Sequence, residues 1–145
     1  MTAPFPERAD GWSTPRKRRR TDAAAAWLDE AFAVAREDSA KAVALVVHGN
    51  IGIDRELEPE IGFDRFLERL EGHVSSFDGQ VLLIHGDSHI QRVDHPFRDS
   101  TGRAYPNFTR IETFGSPEIG WLRVVVATLQ GRVVEVEPRL MRGWL

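Results

Sequence analysis

Residues 81–89, Val81-Leu82-Leu83-Ile84-His85-Gly86-Asp87-Ser88-His89, decide the fold. Four consecutive apolar residues closed by a His-Gly step have the length and composition of a strand buried on both faces, as in a parallel sheet. Upstream, Ala42 to Val47 (AVALVV) repeats the pattern, and it too runs into histidine, at His48-Gly49-Asn50. A helical pattern precedes each strand. In AAAAWLDEAFAVARED, entered through Thr21 or Asp22 as N-cap, Leu28, Phe32 and Ala35 fall on one stripe with Trp27, Ala31 and Val34 beside it. In GFDRFLERLEGHV, Phe63, Phe66, Leu67 and Leu70 recur at helical spacing, while Asp64, Arg65 and Glu68 lie off the stripe. Helix, strand, helix, strand predicts an α/β fold with a parallel pair joined by a crossover helix.

The flanks are read from this centre. Between the first strand and the second helix, Gly52 to Pro59 is a charged loop. Downstream, FTRIETF, WLRVVVATL and RVVEVEPRL are rich in β-branched and aromatic residues and are separated by Gly115-Ser116-Pro117 and Gln130-Gly131. They predict three antiparallel or mixed strands. Residues 1–20 hold three prolines and no periodicity, which predicts a disordered basic lead-in and assigns the folded domain to residues 21–145.

Composition narrows the function classes. With 145 residues, 41% apolar and 28% charged, the chain fits one globular domain. No apolar run approaches the ~20 residues that span a bilayer. The N-terminal stretch lacks the apolar core of a secretory signal, so the expected location is cytoplasmic and no membrane partner is expected. The absence of cysteine excludes disulfide scaffolds, thiolate zinc sites and cysteine nucleophiles, and any metal must be held by His, Asp, Glu or Asn. Arg16, Lys17, Arg18, Arg19 and Arg20 form one basic block; without these five, 14 basic residues face 22 acidic ones, a formal charge of −8. Such a block can contact nucleic acid or serve as an address, but it lacks interleaved aromatics and Gly-rich repeats, so a solvated tail is the simpler reading and nucleic acid is not the expected partner.

Ligands of open α/β sheets gather at the carboxyl ends of parallel strands. His48 stands at one such end; His85, Asp87 and His89 stand at the other, every second position, where an extended backbone points them to one side. Neutral imidazole with a hard carboxylate suits Mn, Fe or Zn better than Ca. A histidine at a strand end is also an ordinary hydrogen-bonding residue, and His73 and His95 lack comparable company. Arg92 with Asp94, and Arg110 with Glu112, have a plain reading as ion pairs. For Arg92 there is also a functional one, because a guanidinium matches phosphate oxygens bidentately. Trp121 reads as a core or sheet-interface residue, and Asn107 carries no distinct signal. Ser88 is not read as a nucleophile, since no Gly-x-Ser-x-Gly elbow surrounds it.

VLLIHGDSHIQRVDHPF followed by NFTRIETFGSPEIGWLRVVV resembles the C-terminal portion of calcineurin-like metallophosphoesterases, in particular a bacterial group whose last motif reads Gly-Asp-Ser-His. The WLDEAF-x-x-A helix before a buried strand is similar too, and the likeness runs from about Thr21 to Pro138. The resemblance implies the C-terminal half of an αββα sandwich and metal-dependent phosphoester hydrolysis. It places His89 and Asp87 in the final metal motif, Asp87 where the superfamily usually has a histidine. It makes His48 the lone metal-binding histidine of the preceding strand, and His85 a neighbour that supports the ligands.

The superfamily's N-terminal motifs of the forms Gly-Asp-x-x-Asp and Gly-Asn-His-Asp or Glu do not occur in this sequence, and the one Asp-x-His triplet, Asp87-Ser88-His89, is the stretch already matched to the final motif. A two-metal hydrolase needs their bridging carboxylate and further ligands. The expectation is therefore an incomplete site that holds a single divalent ion at most and assigns no catalytic residue. A sheet lacking its other half also has an unpaired edge, which predicts a homo-oligomer or a complementing chain. The competing expectation is a non-catalytic remnant or interaction domain.

Overall fold

A computed structural model describes residues 14–54, 63–127 and 132–141. In chain order the elements are α1 (Thr14–Glu37), β1 (Ala42–Val46), α2 (Asp64–Ser76), β2 (Gln80–His85), β3 (Arg92–Asp94), β4 (Phe108–Glu112), β5 (Gly120–Ala127) and β6 (Arg132–Leu140). A mixed four-stranded sheet runs in the order β1-β2-β4-β3, and β5 pairs with β6 in a separate two-stranded ribbon. β1 and β2 are parallel, with Ala42 opposite Gln80 and Val46 opposite Ile84, and α2 lies between them in the chain. That is the predicted α/β arrangement of parallel strands and helices.

The core explains the helical stripes. Leu28, Phe32 and Ala35 of α1 and Phe66, Leu67, Leu70 and Val74 of α2 pack with Val81, Leu83 and Phe108 on one face of the sheet. Ile51 and Ile53, just after β1, close the same core, and the Asn50 side chain caps their turn by accepting from the Gly52 N–H at 3.0 Å. His73 joins the helices by stacking on Phe32 at 4.4 Å and contacting Asp29 at 2.7 Å. Asn107 ends α2: its amide donates to the Val74 and Phe77 carbonyls at 2.9 and 3.0 Å, partners that a helix C-terminus otherwise lacks.

Several expectations are corrected. α1 starts at Thr14, not Thr21, so the basic block is helical; Arg and Lys are good helix formers and extend the alanine-rich segment toward its N-terminus. β1 is an edge strand rather than one buried on both faces: the helices cover one side, and Val46 on the other is 78% exposed. β4 is not part of an antiparallel set but pairs in parallel with β2, Val81 opposite Phe108. Trp121 sits on the ribbon and is 60% exposed, because the ribbon forms no ladder with the main sheet. The short strand β3, antiparallel to β4, was not expected. The lead-in over residues 1–13, the loop from residue 55 to Pro59 and the Gln130-Gly131 turn lie outside the described residues.

Among the described residues no helix is long and apolar enough to cross a membrane.

Candidate functional site

β1 and β2 end side by side, and their carboxyl ends open into a cleft of about 350 Å³ lined by His48, His85, Asp87, His89, Thr113 and Gly115 among others. The sheet thus brings together the four residues singled out at the strand ends, at the place where parallel sheets collect ligands. Their geometry differs from simple alternation. Asp87 and His89 have φ of 85° and 62°, the left-handed region that non-glycine residues rarely occupy. The chain therefore turns sharply after Gly86, and His85 stays buried in β2 while Asp87 and His89 are exposed. Strained conformations of this kind persist only where neighbouring contacts hold them.

Those contacts are specific. The Asp87 Oδ2 accepts from the Asn50 N–H at 3.4 Å, joining the loop after β2 to the loop after β1. His89 Nδ1 donates to the Ser116 carbonyl at 2.8 Å. That bond places the proton on Nδ1 and leaves Nε2 with a free lone pair, the form in which histidine binds a metal. Gly115 makes room for the ring, since a Cβ there would stand 2.5 Å from His89 Cδ2. Ser88 Oγ donates to the buried Glu112 and accepts from the Ile90 N–H at 3.2 Å, closing the turn on itself.

His85 plays a different part. Its ring is buried, neither nitrogen has a hydrogen-bond partner, and Nδ1 lies 3.8 Å from Glu112 Oε1. Burial pushes its pKa below the ordinary histidine value of 6.5, outweighing the opposing pull of Glu112, so the ring is neutral near pH 7.

The donor types, two imidazoles and one carboxylate, match Mn, Fe or Zn. The grouping does not match: among the described residues no three His, Asp or Glu side chains stand close enough together to hold an ion. The cleft gathers donors of these types without the spacing that would hold an ion.

Arg92 does not line this cleft. It belongs to a charged network on the helix-facing side of the sheet, where β3 and β4 place Arg92 opposite Glu112 and Asp94 opposite Arg110. Arg92 donates to Glu112 and Asp54. Arg110, fully buried, donates through Nε to Asp94 at 2.7 Å and through Nη1 to Asp54 at 2.8 Å. Burial alone raises the Asp54 pKa, but the hydrogen bonds and charges of Arg110 and Arg92 outweigh it and hold the carboxyl below its usual value. For Arg110, burial is likewise outweighed by Asp94 and Asp54, which keep the guanidinium charged. The network borders a second cavity of about 1060 Å³ that His95, Phe97 and Arg98 also line. Both arginines are thus engaged by carboxylates, but not in the expected pairs: the antiparallel register exchanges the partners, so that Arg92 meets Glu112 and Arg110 meets Asp94, with Asp54 shared between them. Asp54 escaped the sequence reading, because Arg92-x-Asp94 and Arg110-x-Glu112 already balance in charge and nothing in them signals a third acid.

No family model, no curated protein and no solved structure matches the chain.

Proposed function

We propose that the chain is a metallophosphoesterase-like protein whose strand-end cleft supplies part of a divalent-metal site for a phosphoester. The observation that carries this reading is His89: the Ser116 carbonyl fixes its tautomer with Nε2 free, in a cleft shared with His48 and Asp87. In this reading the four-stranded sheet is one layer of an αββα sandwich, Mn, Fe or Zn is the ion, and the missing ligands come from another polypeptide or a second copy. His85 lies buried before the ligand loop, and neither of its nitrogens bonds to a ligand residue.

The test is titration of the purified chain with Mn²⁺ and Zn²⁺ by calorimetry, alongside hydrolysis of bis(p-nitrophenyl) phosphate. Weak binding of one ion, lost in His89→Ala, with negligible turnover is the expected result. Robust turnover abolished by His89→Ala would overturn the incompleteness of the site. No metal binding at all would overturn the reading itself.

A second reading, a non-catalytic interaction module, is favoured by one observation: β1 is an edge strand that leaves Val46 bare. An unpaired strand edge accepts a further strand through backbone hydrogen bonds.

A further inference from the structure

We propose that the outward side of α1 is a docking surface for a second copy of this chain, the two helices packing antiparallel about a two-fold axis. α1 carries apolar residues on two opposite sides. Ala25, Leu28, Phe32 and Ala35 are buried and turn one side into the core. On the other, Arg20, Ala23, Trp27, Glu30, Val34 and Glu37 recur at alternating steps of three and four residues, the spacing of a coiled-coil seam. At about 100° per residue the six share one stripe. All are exposed, Trp27 by 76%.

The charges of the stripe identify its occupant. One end is basic, with Arg19 beside Arg20, and the other is acidic, with Asp38 following Glu37. None of these four forms an ion pair with a described residue. Antiparallel pairing centred level with the Leu28–Asp29 step sets Arg20 against the partner's Glu37, Arg19 against the partner's Asp38 and Ala23 against the partner's Val34. The two-fold axis makes each of these contacts twice. At the centre each Trp27 lies over the partner's Glu30, where the small Ala26 and Ala31 border the seam and leave room for the ring.

Other arrangements leave like charges together. A parallel, in-register pair would set Arg20 against Arg20 and Glu37 against Glu37. An anionic bilayer or a nucleic acid would repel the half of the stripe that carries Glu30, Glu37 and Asp38. A second, antiparallel copy matches both halves, and it also rests each Arg20 near the negative end of the partner's helix dipole. One pair of helices is a small interface, so the expected dimer is of micromolar affinity.

Sedimentation velocity of the full chain over a concentration series at low salt tests the proposal. Arg20→Glu alone and Glu37→Arg alone each turn two attractions into repulsions and are expected to weaken the dimer roughly 10- to 30-fold. Both changes suit the helix dipole, so the helix itself is kept. The chain carrying both regains the dimer, because the exchanged charges again face their opposites. Since the sequence has no cysteine, mild oxidation of the variant carrying Ala23→Cys and Val34→Cys gives a second readout. It is expected to yield a disulfide-linked dimer, whereas Ala23→Cys alone does not, its two copies standing about 16 Å apart along the axis. The proposal is overturned by a native chain that stays monomeric at about 1 mM, by single reversals without effect, by a double reversal no better than either single one, or by equal cross-linking of Ala23→Cys alone. Association through the β1 edge does not reproduce the rescue, because the exchanged residues lie on α1, and none of these outcomes depends on the metal site.

Discussion

Ser88 reaches across 24 residues of sequence to donate a hydrogen bond to Glu112, which is fully buried on β4. The turn bearing Asp87 and His89 is thereby pinned to the centre of the sheet. Ser88→Ala removes a bond to a charged acceptor, which is worth about 1.5–3 kcal/mol. Chemical denaturation measures this loss, and amide exchange over residues 86–90 reports faster opening of the turn. Unchanged exchange there would show that the bond does not hold the turn.

The Arg110 cluster predicts an inverted ranking. The Arg110 side chain is 1% exposed, but its partner Asp94 is 40% exposed and can be hydrated when left alone. Asp94→Ala leaves the buried guanidinium with Asp54 as its remaining described carboxylate partner, two of its hydrogen bonds unmade, and is expected to cost about 3 kcal/mol. Arg110→Met replaces it with an apolar chain while Asp54 and Asp94 turn to water, for a cost below about 2 kcal/mol. Urea titrations of the two variants that rank them the other way would contradict this account.

Gly115 and His89 are coupled through space. Gly115→Ala places a methyl group on the His89 ring, and overpacking of this sort costs about 1–3 kcal/mol. In His89→Ala the obstacle is gone, so adding Gly115→Ala to that background is expected to be nearly silent. A double-mutant cycle with additive effects would refute the contact.

The buried His85 sets a pH response. Its folded pKa lies below 6.5, so as pH falls past about 6.5 the unfolded chain binds the proton first and stability drops until the folded ring protonates as well. Above that window the ring costs the fold only its unmade hydrogen bonds. His85→Leu is therefore expected to be neutral or stabilising at pH 7 and to gain on the native chain between pH 6.5 and 5. Parallel thermal unfolding of both proteins across that range checks the divergence.

The bare edge at β1 predicts self-association. Val46→Lys places a charge on the exposed face of that strand, a device that blunts edge pairing. Light scattering at increasing concentration is expected to show larger species for the native chain than for the variant.

What was legible in the sequence tracks with how locally each feature is determined. The stripes Leu28-Phe32-Ala35 and Phe66-Leu67-Leu70 and the runs AVALVV and VLLI announce their elements because a single face or a short apolar run suffices. β4 was hidden as a parallel partner of β2 because Arg110 and Glu112 break the apolar signature of an interior strand. Their burial is permitted only by Asp54, Asp94 and Arg92, and nothing in FTRIETF reveals those neighbours. The meeting of His48, Asp87 and His89 could be inferred from their places after two neighbouring strands. The left-handed backbone at Asp87 and His89 could not, because neither is a glycine and tertiary contacts impose it.

The sheet order also separates local pairings from distant ones. Pairing β1 with β2 brings Ala42 to Gln80, and pairing β2 with β4 brings Val81 to Phe108, so both ladders wait on the closure of long loops. The ribbon needs only Ala127 to meet Arg132. Local contacts of that kind form in microseconds, whereas non-local parallel ladders are slow. The ribbon is thus able to form before the sheet. The cleft between β1 and β2 exists only after the slowest pairing is made.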